Sequence, residues 1–228
     1  MKINKIASGS AGNAIELYDG SGRLLLDAGI AFSKLSKKTI LTHIDAILIS
    51  HEHLDHSRAI PELLRRGFHV YMSRGTAEAL GVSDIDATRI IEPERQIQIG
   101  DWLVVPFPVE HDAAEPMGFL IESLYSSEKL IYVVDTCRID YDFKGITHWL
   151  VECNFSEDLL KSGTYKDWLK ERVKNSHMSL ENLVTFLTTS DMTESKEIHL
   201  LHLSDANSDE KKFVDFIQRK TGIPTYAS

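Results

Sequence analysis

The chain has 228 residues, of which 43% are hydrophobic and 26% charged, the composition of an ordinary globular protein with enough length for one domain with a large core or two small ones. No apolar run approaches the roughly 18 residues of a membrane span, so no membrane partner is expected. The formal net charge of −9 argues against a protein that coats nucleic acid through bulk charge, but leaves room for a local basic groove.

The start, MKINKIASGSAGN, lacks the apolar middle of a secretory signal. Two cysteines, Cys137 and Cys153, make no disulfide framework, and both are expected buried and reduced. Together these features fit a reducing cytoplasm, the expected setting, and equally a mature secreted chain with its signal removed. KINKIA, NAIELYD and RLLLDAG read as short strands split by the turn-formers GSAG and DGSG. DAILIS is a continuous apolar run and predicts a buried strand. AIPELLRRG follows as a short helix with Pro near its start and Gly at its end. HVYMS predicts a strand and RGTAEALG another short helix. WLVVPFPVEH, MGFLIES, KLIYVVD and HWLVECN read as four more strands. The last third turns helical in TYKDWLKERV, SLENLVTFLTTS and DEKKFVDFIQRK, with the strand EIHLLHLS between the last two. Strands and helices alternate without a repeat or linker, which predicts one α/β domain over residues 1–228.

The stretch HEHLDH, residues 51–56, directly follows the strand DAILIS. Side chains two apart on an extended segment point the same way, so His51 and His53 converge. If the chain turns into a helix near Ser57, Asp55 and His56 face a second point nearby. One zinc needs only three or four such groups, so four in six residues suggest two metals sharing a short loop. His111, Asp135 and His202 each stand after another apolar run. Strand ends are rigid positions, and several of them can aim ligands into one cleft.

HEHLDH, with Asp27 in LLLDAG and His111, Asp135 and His202 following in order, resembles the metallo-β-lactamase superfamily over residues 2 to 205. That resemblance implies an αββα sandwich of two mixed β-sheets flanked by helices. It implies one divalent ion on His51, His53 and His111, a second on Asp55, His56 and His202, and Asp135 bridging them, with zinc or manganese as the metal. Asp55 then belongs to the catalytic set, and a metal-bound hydroxide is the nucleophile.

Within the superfamily, ECN at 152–154 and SHMS at 176–179 resemble two segments of tRNase Z-like phosphodiesterases. There Glu152 orients His177, and His177 protonates the leaving oxygen. The alternative is a buried ion-pair role for Glu152 and a helix-terminal role for His177. Only 24 positions separate His111 from Asp135, too few for the tRNA-gripping arm of tRNase Z. ASGSAGN, HEHLDH, HDAAEPMGF, VVDT, ECN, SHMS and LHLSDAN run in the order of the YycJ/WalJ-like subfamily, small metallohydrolases linked to DNA exonuclease activity. Ser176 stands where that subfamily generally has Gly, and VECNF replaces its EAN-type sequence.

Two features bear on substrate. SGSAGN, with Ser10 and Asn13, is either a phosphate-facing loop or a tight turn. Residues 161–175 carry a local charge of +3, and Lys166, Lys170 and Lys174 either guide a strand or form a solvated helix face. The expected activity is dinuclear phosphodiester hydrolysis on a nucleic-acid strand, DNA attacked from an end. The alternatives are a cyclic-nucleotide phosphodiesterase of the phage immune-evasion type, completed by a homodimer partner, and a metal-binding protein without turnover.

Overall fold

A computed structural model describes residues 1–227; Ser228, the last residue of the expected domain, lies outside the described residues. The architecture is α/β, with two mixed β-sheets flanked by helices. The chain divides into two compact units, Met1–Pro108 with Ala113–Glu128, and Val109–Asp112 with Lys129–Ser228.

The first unit contains β1 (Lys2–Ala7), β2 (Ala14–Tyr18), β3 (Arg23–Leu26), β4 (Ala46–Leu48), β5 (Val70–Met72) and β6 (Thr88–Ile90), in that spatial order. β1, β2 and β3 pair antiparallel, then β3 to β6 pair in parallel. Leu24, Leu25 and Leu26 are all buried, as are Ala46, Ile47 and Leu48, because both faces of these strands are covered. The helix Ile60–Arg65 places Leu63 and Leu64 in the same core as Ile47, Val70 and Met72. The unit also holds β7 (Ile97–Ile99), β8 (Trp102–Pro108) and β9 (Met117–Ser123), paired antiparallel.

The second unit holds β10 (Lys129–Val133), β11 (His148–Glu152), β12 (Glu197–Leu201) and β13 (Thr225–Tyr226), all parallel. Every residue of β11 is buried, and Trp149 packs edge-on against Phe186 with ring centroids 5.7 Å apart. Among the described residues, no helix is long and apolar enough to cross a membrane.

Parallel registry decides where the site residues stand. Leu26 pairs with Leu48, so Asp27 and the segment Ile49–His51 leave the sheet at the same edge. Val133 pairs with Val151 and Glu152 with Leu201, so Asp135, Glu152 and His202 gather at the carboxyl ends of three neighbouring strands. Such ends are where open α/β sheets place ligands.

Several elements differ from the sequence expectation. Asp55 and His56 do not precede a helix near Ser57 but lie inside one, Leu54–Ser57. The helices Phe32–Lys38 and Glu157–Ser162 and the strands β6, β7 and β13 were not expected. Each is short and lacks a full period of apolar residues to mark it. Cys153 is buried as expected, whereas Cys137 is only partly so, being on a loop.

The loop bearing HEHLDH is clamped by backbone. Asn13 N–H donates to the Asp55 carbonyl at 2.7 Å, and Ala28 N–H to the His56 carbonyl at 2.8 Å. A Cβ on Gly29 would stand 1.6 Å from the Asp55 carbonyl oxygen, so only glycine fits there. Gly29→Ala must push this loop away and is expected to destabilise the protein by about 3 kcal/mol or more, a severe case of overpacking. Denaturant unfolding measures this; a midpoint equal to the parent's would show that the loop yields freely.

Candidate metal centre

In the first unit, a buried carboxylate sets the histidines. Asp27 accepts from Ser50 N–H at 2.8 Å, from Ser50 Oγ at 3.0 Å and from His56 Nδ1 at 2.7 Å. Ser50 Oγ has one proton, given to Asp27, so it accepts from His51 Nδ1 at 3.0 Å. With their Nδ1 atoms protonated, His51 and His56 both carry their lone pair on Nε2, and in the absence of metal that of His56 accepts from Asn13 Nδ2. The ring of His51 lies 4.7 Å from that of His53 and 4.2 Å from that of His56, and His56 Nε2 is 3.6 Å from Asp55 Oδ2. His51, His53, Asp55 and His56 thus form one group.

Asn13 is buried, and its side-chain amide is spent on the loop itself. Gly9 N–H donates to Asn13 Oδ1 at 2.9 Å, and Asn13 Nδ2 is 3.0 Å from His56 Nε2. Ser10 is exposed on the same turn.

In the second unit, Glu152 is the hub. Its Oε1 accepts from His177 Nδ1 at 2.7 Å and His202 Nδ1 at 3.1 Å. Its Oε2 accepts from Thr136 N–H at 3.0 Å and Met178 N–H at 3.2 Å. Asp135, Glu152, His177 and His202 bring a ligand atom each within 4.8 Å of one another. His202 Nδ1 is also 3.1 Å from Asp135 Oδ1, and its backbone carbonyl accepts from Asn154 Nδ2 at 2.8 Å. His111 is held through Nδ1, which donates to the Ser176 carbonyl at 3.1 Å, leaving Nε2 3.7 Å from Asp135 Oδ2.

Local structure explains why His177 stands there. The helix Asp167–Ser176 ends at His177, which is extended, with its N–H on the Val173 carbonyl. Ser179 then caps the next helix, Leu180–Thr189, by accepting from Asn182 N–H. Asn154 N–H bonds the Met178 carbonyl and Leu180 N–H the Phe155 carbonyl, which pins this break beside β11.

The lysines of the basic stretch lie on or beside this helix. Lys166 is exposed at its start, Lys170 Nζ donates to the Lys161 carbonyl at 2.8 Å, and Lys174 pairs with Glu171 at 3.2 Å. Ser50, Thr136 and Asn154 went unread in the sequence. The signal for Ser50 and Thr136 was only their place next to a ligand in DAILISH and VVDT.

Two mixed sheets that end their parallel strands in histidines and carboxylates offer groups that could hold metal, and the family and relatives that match make the chain a metal-dependent hydrolase. The chain belongs to the β-lactamase superfamily: residues 22–202 match the beta-lactamase superfamily domain. It is 30% identical over 227 residues to the exodeoxyribonuclease WalJ of Streptococcus pneumoniae, covering 91% of this chain and 83% of that one. It is 30% identical over 224 residues to the exodeoxyribonuclease YycJ of Bacillus anthracis, covering 91% of this chain and 84% of that one. Among solved structures, the metallo-β-lactamase fold protein YhfI of Bacillus subtilis superposes with a TM-score of 0.76 at 18% identity, covering 99% of this chain and 95% of that one.

Burial lowers the His111 pKa, a shift that Asp135 offsets only in part. Burial would also lower that of His177, but the Glu152 charge and hydrogen bond outweigh it and raise it above 6.5. The Glu152 carboxyl moves the other way: burial would raise it, and the His177 and His202 partners hold it below its ordinary value. The pair's contribution to stability is therefore full between pH 4.5 and 6.5, fading as pH rises through the folded His177 value and as it falls through the folded Glu152 value. In chelator-treated protein, the His177 ring is expected to titrate above 6.5 by NMR, and Glu152→Gln to bring it down. An unmoved titration in that variant would show that Glu152 is not the source of the shift.

Proposed function

We propose that the protein hydrolyses phosphodiesters in a nucleic-acid strand, DNA attacked from an end, at a dinuclear centre, and that residues 1–228 act as one catalytic domain. The relatives named as exodeoxyribonucleases support the substrate class. The observation that carries the chemistry is the 2.7 Å bond from His177 Nδ1 to Glu152 Oε1.

The donor set fits divalent metal. Imidazole nitrogens with carboxylates suit zinc, and manganese is the alternative where carboxylates dominate. Histidine ligands require the far ring nitrogen to be held, and here Asp27, Ser50, Glu152 and the Ser176 carbonyl do so. In this reading His51, His53 and His111 hold one ion, Asp55, His56 and His202 the other, and Asp135 bridges. When bound, such ions supply Lewis acidity and a nucleophile at neutral pH.

The chain's own residues do the rest. Cleavage of a phosphodiester expels an alkoxide, which needs a proton. His177 bonds Glu152 through Nδ1, so Nε2 is the atom that delivers the proton. Its raised pKa keeps it charged to higher pH, as an acid requires. Glu152 fixes the ring, stabilises its charged form and is itself kept ionised by four donors.

His177→Ala is expected to lose roughly 10²–10⁴-fold in kcat on a nucleic-acid strand while keeping its metal. The loss should shrink on a bis-aryl phosphodiester with a nitrophenolate leaving group, which needs little protonation. Equal losses on both substrates would show that His177 positions substrate or metal instead. A parent that cleaves cyclic mononucleotides far faster than any strand would favour the cyclic-nucleotide reading.

A further inference from the structure

The helix that ends at His177 begins with an exposed aromatic residue. Of the three tryptophans, Trp102 and Trp149 are 0% exposed, whereas Trp168 is 65% exposed. Tyr165, just before the helix, is 36% exposed, and Lys166 stands between them. Arg172 follows Trp168 by four residues and so shares its face of the helix. Arg172 Nη2 donates to Asp112 Oδ2 at 3.0 Å, and Asp112 Oδ1 lies 3.4 Å from His111 Nε2. A line of aromatic and basic side chains thus runs from Trp168 through Arg172 toward His111, with His177 at the helix end.

We propose that this face is a stacking platform for single-stranded nucleic acid. A base stacks on the Trp168 indole, Tyr165 borders it, and Lys166 and Arg172 meet the phosphates on either side. This rests on the reading of the protein as a strand-cleaving phosphodiesterase. An indole needs an open base face to stack on, which a single strand offers and a duplex interior does not. The charge selects the same partner. Residues 161–175 carry Lys161, Lys166, Lys170, Arg172 and Lys174 against Asp167 and Glu171, a local +3 in a chain of −9. A second copy of the chain docked face to face would bring +3 against +3, whereas a strand brings complementary charge. Trp168 lies nine residues before His177, about 13 Å along a helix axis. At about 3.4 Å per stacked nucleotide, that spans roughly four nucleotides. A dinucleotide at the site cannot reach the indole; a longer strand can.

The other two tryptophans are buried, so quenching of exposed tryptophan emission reports on Trp168. The probe is a phosphorothioate-linked thymidine strand of about twelve nucleotides, added to metal-loaded protein; the length covers single-strand site sizes of about 4–16. The strand is expected to quench the emission, a dinucleotide to leave it alone, and a duplex of equal length to quench less. Trp168→Ala should weaken strand binding, measured by anisotropy of a labelled strand, by roughly 5- to 150-fold, and Trp168→Phe should restore most of it. Strand affinity unchanged in Trp168→Ala overturns the platform, as does quenching by the duplex equal to that by the strand. A dimer in sedimentation that Trp168→Ala converts to monomer, with strand affinity intact, assigns the face to self-association and overturns it too. Cleavage of an end-labelled DNA strand by the parent separates the two readings. Quenching without cleavage would sink the nuclease reading and leave the platform standing; cleavage with undiminished binding in Trp168→Ala would do the reverse.

Discussion

A carboxylate buried at the end of a strand must be satisfied or neutralised, and the second unit is arranged around that constraint at Glu152. Two ring N–H groups and two backbone N–H groups converge on its oxygens. An uncompensated buried charge costs several kcal/mol, so these four donors are fixed in place by the same energy that they relieve. The turn after Asp135, the break at His177 and the end of β12 are thereby tied to one residue of β11. Asp27 does the same in the first unit, with Ser50 and His56 as donors. In each unit a carboxylate fixes which nitrogen of a histidine is left to act.

This arrangement separates two kinds of histidine. His51 and His56 are anchored through Nδ1 by a chain of hydrogen bonds that ends on Asp27, and their Nε2 atoms face away from it. His177 is anchored in the same way by Glu152 but is only half-buried, with 21% of its side chain exposed. Partial exposure gives it access to solvent, which a fully enclosed ring would lack.

Much of the site was legible because its residues follow apolar runs. HEHLDH after DAILIS, Asp135 after KLIYVV and His202 in EIHLLHLS are local patterns, and strand registry turns them into spatial neighbours. Residues whose role is a backbone clamp left no such trace. Asn13 reads equally well as a phosphate contact, and only the fold shows its amide turned inward onto Gly9 and the loop of His56. Gly29 matters because the Asp55 carbonyl passes beside it, a contact across 26 positions that no periodicity encodes. The strands β6 and β7 were missed for a related reason: three residues each, only one of the six buried, they take their form from neighbours and not from their own pattern.

Three residues at strand ends hold left-handed backbone: Asp27 at φ 57°, Asp135 at φ 52° and His202 at φ 53°. For an L-residue that geometry costs about 1–2 kcal/mol, and at Asp27 and His202 side-chain hydrogen bonds offset it. Alanine at such a position keeps the strain and discards the offset. Glycine discards both together. Mutagenesis of the centre therefore has two grammars. His51, His53 and His111 do not hold that left-handed geometry, and alanine there removes an imidazole without backbone strain. At Asp135 and His202, glycine is the cleaner deletion, and a loss seen with alanine there includes the cost of backbone strain.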